Sequence, residues 1–321
     1  MENSIIGGIV IRRDRARPLG FAVGNHVADL VEAMHLAGHA INEDVSLSQI
    51  LESWGELKPA IEATLRALAD APTSDLAWEP LESQELDAPV RPTASLIFTA
   101  ANYAAHTSEA ESSERVGKQV STGSTTPYVF LKPMRSVVGP CDNIQKPFDV
   151  EQLDWEVELA AVIGSRGRRI PVDEALNYVA GYVICNDVSA RDFVQRPDWP
   201  MFSSDWFAQK AFDTFTPFGP AFVPSGLIGD PNELRLVLTV DDEVMQDSLA
   251  GDMIFSIAEQ IAYASRFTTL EPGDIISTGT PSGVGMARGR YLTTGETVKA
   301  MISGLGEQTN LVVDEPPGPG C

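Results

Sequence analysis

From about residue 94 onward, short apolar runs follow one another between glycines and prolines, and this pattern constrains the fold more than any other feature. Each run is typical of a β-strand, and the predicted strands cover 95–99, 128–131, 159–163, 178–185 and 234–240. One late segment, 254–267, carries apolar residues at helical spacing. Because strands and helices do not alternate regularly, the pattern predicts an α+β, mainly β domain and argues against a doubly wound sheet.

The first 90 residues show a different pattern, in which short predicted strands precede two predicted helices. This pattern predicts a small N-terminal α/β module. Segments 7–11 and 19–23 are typical of strands, and 27–40 and 46–69 are typical of helices. Residues 71–92 are rich in Pro, Asp and Glu, which indicates a linker or a meandering loop. We therefore predict a module with its linker over 1–90, a larger domain over 91–316, and a disordered Pro/Gly tail over 317–321.

The charge balance restricts the classes of partner. The chain has 321 residues, of which 45 are acidic and 23 are basic, so its net charge is −22. Such a chain does not attract nucleic acid or an anionic membrane by its overall field, so an anionic substrate would need local cations or a metal ion. The three cysteines form no Cys-x-x-Cys pair, no apolar run reaches membrane-spanning length, and the first residues lack a signal-peptide layout, so we expect a cytoplasmic protein.

The segment LDWEVELAAVIG (153–164) begins with acidic residues at every second position. Glu156 and Glu158 would share one side of a strand, since side chains alternate with a period of two. One interpretation is the charged outer face of a half-solvated strand. The other is a divalent cation site, because a hard cation cancels the repulsion between neighbouring carboxylates.

A third carboxylate, Asp187, follows the apolar strand that ends in Asn186. An Asn-Asp pair at a strand end is by itself usually a turn. Together with Glu156 and Glu158, however, it would complete an all-oxygen set that suits Mg²⁺ or Mn²⁺ better than Zn²⁺.

The four histidines offer two pairings of interest. His35 and His39 are four residues apart on a predicted helix, but no third ligand is evident, which favours a surface face. His106 follows a predicted strand, with Glu109 three residues further on. A carboxylate beside an imidazole makes a general base, although the same spacing also fits an ordinary surface pair at a helix start.

Two further segments carry possible chemistry. Lys210 lies in an apolar context, which fits either an electrostatic stabiliser or a lysine whose head reaches solvent. The Gly-rich segment 274–285 lacks both the P-loop and the Gly-x-Ser-x-Gly patterns. Its backbone N–H groups are instead suited to holding a carboxylate.

Six of these segments occur together in an order that resembles the fumarylacetoacetate hydrolase family over residues 95–315. They are NYAAHTSE (102–109), FLKP (130–133), LDWEVELAAVIG (153–164), GYVICNDVSARD (181–192), KAFDTFTPFGP (210–220) and GDIISTGTPSGVG (273–285). The resemblance implies a rolled, mixed β-sheet catalytic domain, usually homodimeric, with Mg²⁺ or Mn²⁺ as cofactor.

The resemblance also assigns site residues. It implies that Glu156, Glu158 and Asp187 hold the metal, that His106 and Glu109 activate water on a segment that closes over substrate, and that Lys210 is a stabilising cation. The substrate-binding residues that it implies are Tyr103, Lys132, Arg191, Gln195, Thr214 and Thr280. In several members a Gln follows the Ala-Arg-Asp motif by two residues; this chain has Val194 there and Gln195 next to it.

The function that follows as an expectation is hydrolysis of a C–C bond in a β-diketo acid of the acylpyruvate or fumarylpyruvate type, in the catabolism of aromatic compounds or sugar acids. The same metal site would serve a decarboxylase, or an isomerase or tautomerase, of 2-oxo diacids. A third alternative is a binding protein that kept the pocket and lost turnover. In each case the partner is a small 2-oxo acid.

Overall fold

The computed structural model describes residues 4–91, 95–105, 125–199, 201 and 204–317. The predicted dyad of His106 and Glu109 lies outside these residues, as do residues 318–321 of the predicted tail.

The described strands are β1 (Ile5–Arg12), β2 (Leu19–Gly24), β3 (His26–Asp29), β4 (Glu79–Pro80), β5 (Leu86–Asp87), β6 (Leu96–Ala100), β7 (Tyr128–Leu131), β8 (Val137–Val138), β9 (Ile144–Lys146), β10 (Leu153–Asp154), β11 (Val157–Ile163), β12 (Val179–Asn186), β13 (Ser189–Ala190), β14 (Thr216–Pro217), β15 (Val223–Pro224), β16 (Arg235–Val240), β17 (Glu243–Leu249), β18 (Ile275–Ser277), β19 (Thr297–Ile302) and β20 (Gly306–Asp314).

The helices are short and mostly surround the sheets. They are α1 (Leu30–Leu36), α2 (Leu47–Glu52), α3 (Trp54–Asp70), α4 (Trp206–Lys210), α5 (Ile257–Phe267) and α6 (Gly285–Arg288). Helix α5 begins three residues later than predicted because Ser256 and Glu259 form a reciprocal capping box. Within the described part of the chain, none of the helices has the length and apolar character needed to cross a bilayer.

A six-stranded mixed sheet, in the order β15-β12-β11-β18-β6-β7, forms the centre of the molecule. Every residue of β11 and β12 is buried, because both faces of the sheet are covered. One face, with Leu159 and Ala161, packs into a core shared with β16 and β19, and the other, with Ala160 and Val162, packs into the core of the N-terminal residues. The prediction of a mainly β, α+β fold is therefore confirmed.

The N-terminal residues form a five-stranded sheet in the order β4-β3-β2-β1-β5. The predicted helix 27–40 is wrong at its start, since residues 26–29 pair with β2 as a strand and the helix begins only at Leu30. The predicted helix 46–69 is interrupted at Ser53. The predicted linker 71–92 instead supplies both edge strands of this sheet, β4 and β5.

The N-terminal sheet does not stand apart from the remaining fold. The backbones of Ile9 and Phe222 exchange hydrogen bonds of 2.8 and 2.9 Å. The indole of Trp54 meets the ring of Phe222 edge to face, with centroids 5.5 Å apart. A third sheet, in the order β17-β16-β19-β20-β9, closes the other side of the molecule.

Strand directions bring several strand ends together at one edge of the central sheet. The start of β11 lies beside the end of β12 and the end of β18, because both pairs are antiparallel. Strand β18 runs parallel to β6, so the ends of these two strands also meet there. Residues that follow or begin these strands are therefore gathered at one place.

Candidate active site

The pairing of β11 with β12 places Asp187 directly beside Glu156. The Asp187 backbone N–H donates to the Glu156 carbonyl at 2.8 Å, and the Asn186 Oδ1 accepts from the Glu156 N–H at 2.9 Å. Carboxylate oxygens of Glu156, Glu158 and Asp187 lie within 4.8 Å of one another. The structure thus brings the three predicted metal ligands together.

The three carboxylates are buried, which excludes the interpretation of a solvated outer face. None of them is more than 6% exposed. Glu158 Oε2 accepts from the Ser277 hydroxyl at 2.5 Å and from the Gly279 N–H at 3.0 Å, which are both neutral donors. Burial, followed by the charges of Asp187 and Glu156, raises the pKa of Glu158 well above its usual range.

The Gly-rich loop after β18 holds Glu158 from the backbone. Gly279 has a φ of +95°, and a Cβ there would lie 2.7 Å from the Asn102 Cβ. The Asn102 amide in turn donates to the Thr278 carbonyl at 2.7 Å, which fixes the loop against the end of β6. The loop therefore does hold a carboxylate, as its sequence suggests, and that carboxylate belongs to the protein itself.

Two buried lysines neutralise part of this charge. Lys210, at the end of α4 and only 2% exposed, donates to Glu156 Oε2 at 2.9 Å and to Asp187 Oδ2 at 2.5 Å. Burial would lower the pKa of Lys210, but the charges of Asp187 and Glu156 outweigh it and raise the pKa. Lys132 donates to Asp187 Oδ1 at 2.7 Å, and burial lowers its pKa. The interpretation of Lys210 as a solvent-reaching lysine is therefore wrong.

The Arg191 guanidinium forms ion pairs with both Glu156 and Asp154. Its Nε donates to Asp154 Oδ2 at 2.8 Å, and its terminal nitrogen donates to Glu156 Oε1. Asp154 is fully buried and also accepts from the N–H groups of Gly285 at 2.6 Å and Met286 at 3.0 Å. Arg191 lines the cavity, so it is positioned both to orient a metal ligand and to meet a bound acid.

Charge within this group of side chains is not balanced. We define the acidic cluster as the four buried carboxylates Asp154, Glu156, Glu158 and Asp187. Among the described residues, three cations contact them, Arg191, Lys132 and Lys210, so the charge is one negative in excess when Glu158 is deprotonated. An excess of hard oxygen donors in a buried site fits a divalent cation.

A cavity of about 390 Å³ opens onto the acidic cluster. Trp206 forms part of its wall and stacks on Phe130 with ring centroids 4.8 Å apart. The described residues that line the cavity are Thr99, Ala100, Ala101, Tyr128, Phe130, Glu156, Glu158, Asp187, Arg191, Val194, Ser204, Trp206, Gln209, Lys210, Thr280 and Met286. This volume suits a small organic acid.

Two of the predicted substrate-binding residues are placed differently from each other. Thr280 lines the cavity, where its hydroxyl donates to the Val157 carbonyl at 3.0 Å. Gln195 is exposed and is not among the lining residues, whereas Val194 is. The position at which the resemblance implies Gln in several members is therefore Val194 here, an apolar residue of the cavity wall.

Three other predicted substrate-binding residues, Thr214, Tyr103 and Lys132, are absent from the described cavity wall. The Thr214 hydroxyl accepts from the Gln145 N–H at 2.9 Å. Tyr103 is buried, and its hydroxyl has no hydrogen-bond partner in the described structure. Burial, with a smaller contribution from Glu158, raises the Tyr103 pKa.

The interpretation of His35 and His39 as a surface pair agrees with their placement. His35 is an exposed residue of α1, and His39 lies beyond the end of that helix. In the described part of the chain, Glu156, Glu158 and Asp187 converge closely enough to share a metal ion, and His35 and His39 belong to no such group.

The sequence assigns no role to three residues near the site. Asp154 belongs to the acidic alternation, but its contacts with Arg191 and α6 depend on segments that are distant in the chain. Gln246, on β17, accepts from the Val157 N–H at 3.0 Å and donates to the Thr280 hydroxyl at 2.8 Å. The third, Gln209, precedes Lys210 and lines the cavity.

Comparison with family models gives a match to the C-terminal domain of fumarylacetoacetate (FAA) hydrolase over residues 95–313. The Bos taurus protein named "Oxaloacetate tautomerase FAHD2A, mitochondrial" is 40% identical over 256 residues, covering 78% of this chain and 77% of that protein. The Homo sapiens protein "Oxaloacetate tautomerase FAHD2B, mitochondrial" is 37% identical over 254 residues, covering 78% and 77%.

Solved structures match over nearly the whole chain. A probable 2-hydroxyhepta-2,4-diene-1,7-dioate isomerase from Mycobacterium abscessus gives a TM-score of 0.74 at 28% identity, covering 97% of this chain and 99% of that one. Maleylpyruvate hydrolase from Sphingobium sp. SYK-6, in complex with manganese(II) and pyruvate, gives a TM-score of 0.72 at 28% identity, covering 96% and 100%. These matches confirm the predicted fold, with its curled, mixed β-sheets.

Proposed function

We propose, because this chain belongs to the fumarylacetoacetate hydrolase family, that it interconverts the keto and enol forms of a 2-oxo diacid of the oxaloacetate type. The observation that carries this proposal is the set of relatives named oxaloacetate tautomerases, at 37–40% identity over most of the chain. The hydrolase match is less similar in sequence, at 28% identity. The tautomerase alternative is thus better supported than the C–C bond hydrolysis that we expected first.

The site would hold a divalent cation, Mg²⁺ or Mn²⁺, through Glu156, Glu158 and Asp187. The oxygen-only donors, their burial and the excess negative charge support this choice. When bound, such an ion supplies positive charge that polarises the carbonyl of a 2-oxo acid. It would also explain how a protein with a net charge of −22 captures an anion.

Arg191 and Lys210 keep the site in a fixed geometry before substrate arrives. Each donates to a different oxygen of Glu156, so this carboxylate cannot rotate freely. Lys210 also places a positive charge at the cavity wall, where it would stabilise negative charge that develops on a substrate oxygen. Such preorganised donors lower a barrier without reorganising during the reaction.

Proton transfer between carbon and oxygen requires a general acid and base. We assign this role to His106, oriented by Glu109, as the family resemblance implies. The wall of Phe130, Trp206 and Tyr128 would limit the access of water to the reacting carbon. Limited water favours return of the proton to substrate over hydrolysis.

Hydrolysis of an acylpyruvate is the second candidate function. It is favoured by the match to maleylpyruvate hydrolase, whose solved structure carries manganese and pyruvate. The same carboxylates and Lys210 would serve that reaction if His106 activated a water molecule.

The deciding experiment follows three substrates by NMR with the Mg²⁺-loaded protein: enol oxaloacetate, keto oxaloacetate and an acylpyruvate. A tautomerase speeds equilibration of the oxaloacetate forms and creates no new compound. A decarboxylase yields pyruvate and CO₂, and a hydrolase splits the acylpyruvate into two acids. Acceleration that persists in EDTA, or in Glu158→Gln, would contradict the proposed metal site.

We further propose that the protein is a homodimer, as the family resemblance implies. Sedimentation velocity at micromolar concentration measures this directly, and we expect a single species of twice the 34.6 kDa chain mass. A monomer with full activity would contradict the proposal.

A further inference from the structure

Gln209 is a buried polar residue of the cavity wall. It precedes Lys210 on α4, is 1% exposed, and lines the cavity. Its Nε2 has no hydrogen-bond partner in the described structure. Buried amide groups in folded proteins are nearly always hydrogen bonded, so an unpaired one at a cavity indicates a partner that is bound from solution.

Four other polar side chains that face this cavity, Lys210, Arg191, Thr99 and Thr280, are already hydrogen bonded within the protein. Lys210 and Arg191 are paired with carboxylates. The Thr99 hydroxyl donates to Gln260 at 2.7 Å, and Thr280 donates to a backbone carbonyl. Within the described wall, Gln209 carries the one carboxamide and is the amide donor that remains available.

The contacts around Gln209 fix the position of helix α4, while the terminal carboxamide of the side chain can still rotate. Trp206, one turn earlier on α4, lines the same cavity and is stacked on Phe130, which anchors the helix against the wall. Rotation of the carboxamide about its terminal bond breaks no hydrogen bond of the Nε2, because this nitrogen has none in the described structure. Gln209 can therefore turn its N–H donors toward an anion.

A 2-oxo monoacid offers one carboxylate, next to the oxo group, whereas a 2-oxo diacid carries a second carboxylate at its other end. Its 2-oxo carboxylate end would be held by the ion, and the distal carboxylate would then meet a wall formed largely by Val194, Met286 and aromatic rings. Both cations of the described wall already donate to carboxylates, whereas the Gln209 Nε2 is a buried donor with no partner in the described structure, so we assign Gln209 to that carboxylate.

We infer that Gln209 donates a hydrogen bond to the distal carboxylate of the substrate and so selects 2-oxo diacids over 2-oxo monoacids. This inference rests on the proposed function, since it places a 2-oxo acid in the cavity. It makes Gln209 a specificity-determining residue and assigns it no part in proton transfer.

The test compares two ligands that differ only by the distal carboxylate, pyruvate and oxaloacetate, by titration calorimetry with the Mg²⁺-loaded protein. Gln209→Leu keeps the size of the side chain and removes its hydrogen bonds. We expect oxaloacetate to bind about tenfold or more weakly, because the bond to a charged group is lost, and pyruvate to change by less than about twofold. Equal changes for both ligands, or no change for oxaloacetate, would overturn the inference.

Gln209→Glu is the matched second variant, because it keeps the shape and adds a negative charge. Here oxaloacetate should bind more weakly than to Gln209→Leu, while thermal unfolding confirms that both variants fold. A Gln209→Glu variant that still prefers oxaloacetate as the wild type does would overturn the inference.

The same titrations separate this inference from the proposed function. If the wild type prefers oxaloacetate, Gln209→Leu removes that preference, and no tautomerase activity is found, the inference stands and the function fails. If the wild type is an active tautomerase and Gln209→Leu keeps its preference, the inference fails alone. Wild-type protein that binds neither acid in Mg²⁺ overturns both.

Discussion

Two groups of acidic and basic side chains in this protein shift the pKa of a carboxyl group in opposite directions. In the buried acidic cluster, burial and neighbouring charges raise the pKa of Glu158. The second group, which we call the Arg13 cluster, consists of Arg13, Asp87, Arg91 and Asp142. There, burial would raise the pKa of Asp142, but hydrogen bonds from Arg13 and from the Gly139 N–H outweigh it and lower that pKa.

The difference lies in the balance between anions and cations. In the Arg13 cluster, both nitrogens of the Arg13 fork donate to Asp142, at 2.7 and 2.6 Å, and Arg91 donates to Asp87 at 2.7 Å. Each carboxylate there has a cation, so the cluster joins β1 and β5 to the turn at Gly139. Among the described residues the acidic cluster has more carboxylates than cations, an arrangement that is unfavourable for stability when no further cation is bound.

The largest predicted effect comes from Glu158→Gln. Removal of one ligand charge should lower activity by at least about 100-fold and abolish the rise in melting temperature that we expect Mg²⁺ to produce in the wild type. The metal-free variant should be no less stable than metal-free wild type, because the amide removes repulsion with Asp187 and Glu156. Thermal unfolding with EDTA and with Mg²⁺ measures both points, and continued Mg²⁺ stabilisation would refute the assigned ligand.

Lys210→Met tests whether a cation of the acidic cluster acts in chemistry or only in charge balance. Met has a similar length and no charge, so the proposed stabilisation of negative charge on substrate is lost, and kcat should fall about 100-fold. Mg²⁺ binding should not weaken, since the carboxylates then lack a competing cation. Full activity combined with weakened Mg²⁺ binding would show that Lys210 only positions the metal ligands and has no part in the chemistry.

Asp142→Asn is the matched carboxylate-to-amide change in the Arg13 cluster. It removes the charge that faces Arg13, so the free energy of unfolding should fall by about 1 kcal/mol, after allowance for partial solvent exposure. Activity should stay within about twofold, because Asp142 is not in the cavity wall. Urea unfolding measures the loss, and Arg13→Met with the double variant gives the coupling. Additive losses would contradict the pairing.

The pH dependence of stability should distinguish the two groups by sign. The folded-state pKa of Glu158 is raised, so its contribution to metal-free stability is present at low pH and is lost as pH rises through that pKa. The folded-state pKa of Asp142 is lowered, so its contribution is present above the unfolded pKa and is lost as pH falls through the folded one.

Mg²⁺ needs the deprotonated form of Glu158, so the gap between melting temperatures with Mg²⁺ and with EDTA should widen as pH rises. Glu158→Gln should show no such gap, and Asp142→Asn should keep it. If the difference between the melting temperatures with Mg²⁺ and with EDTA stayed constant across the acidic pH range, the assignment of Glu158 as a metal ligand would be contradicted.

Much of the site could be predicted because its residues lie in short local patterns. Alternation over 153–158 placed Glu156 and Glu158 on one side of the chain, and the end of an apolar run marked Asp187. Gln195 could not be judged in this way, since its direction depends on the turn after Arg191, and the structure turns Val194 into the cavity instead. Nothing local distinguishes Gln209 from a surface residue of a short helix.

The sequence by itself determined which residue types are available and which side of a strand they occupy, because a period of two is a local property of the backbone. The tertiary structure alone decided that β11 and β12 pair in the register that sets Glu156 beside Asp187. It also decided that N-terminal residues cover the face of β11 that carries Ala160 and Val162. Register and burial depend on contacts between distant segments, and a local pattern carries no information about which segment will cover it.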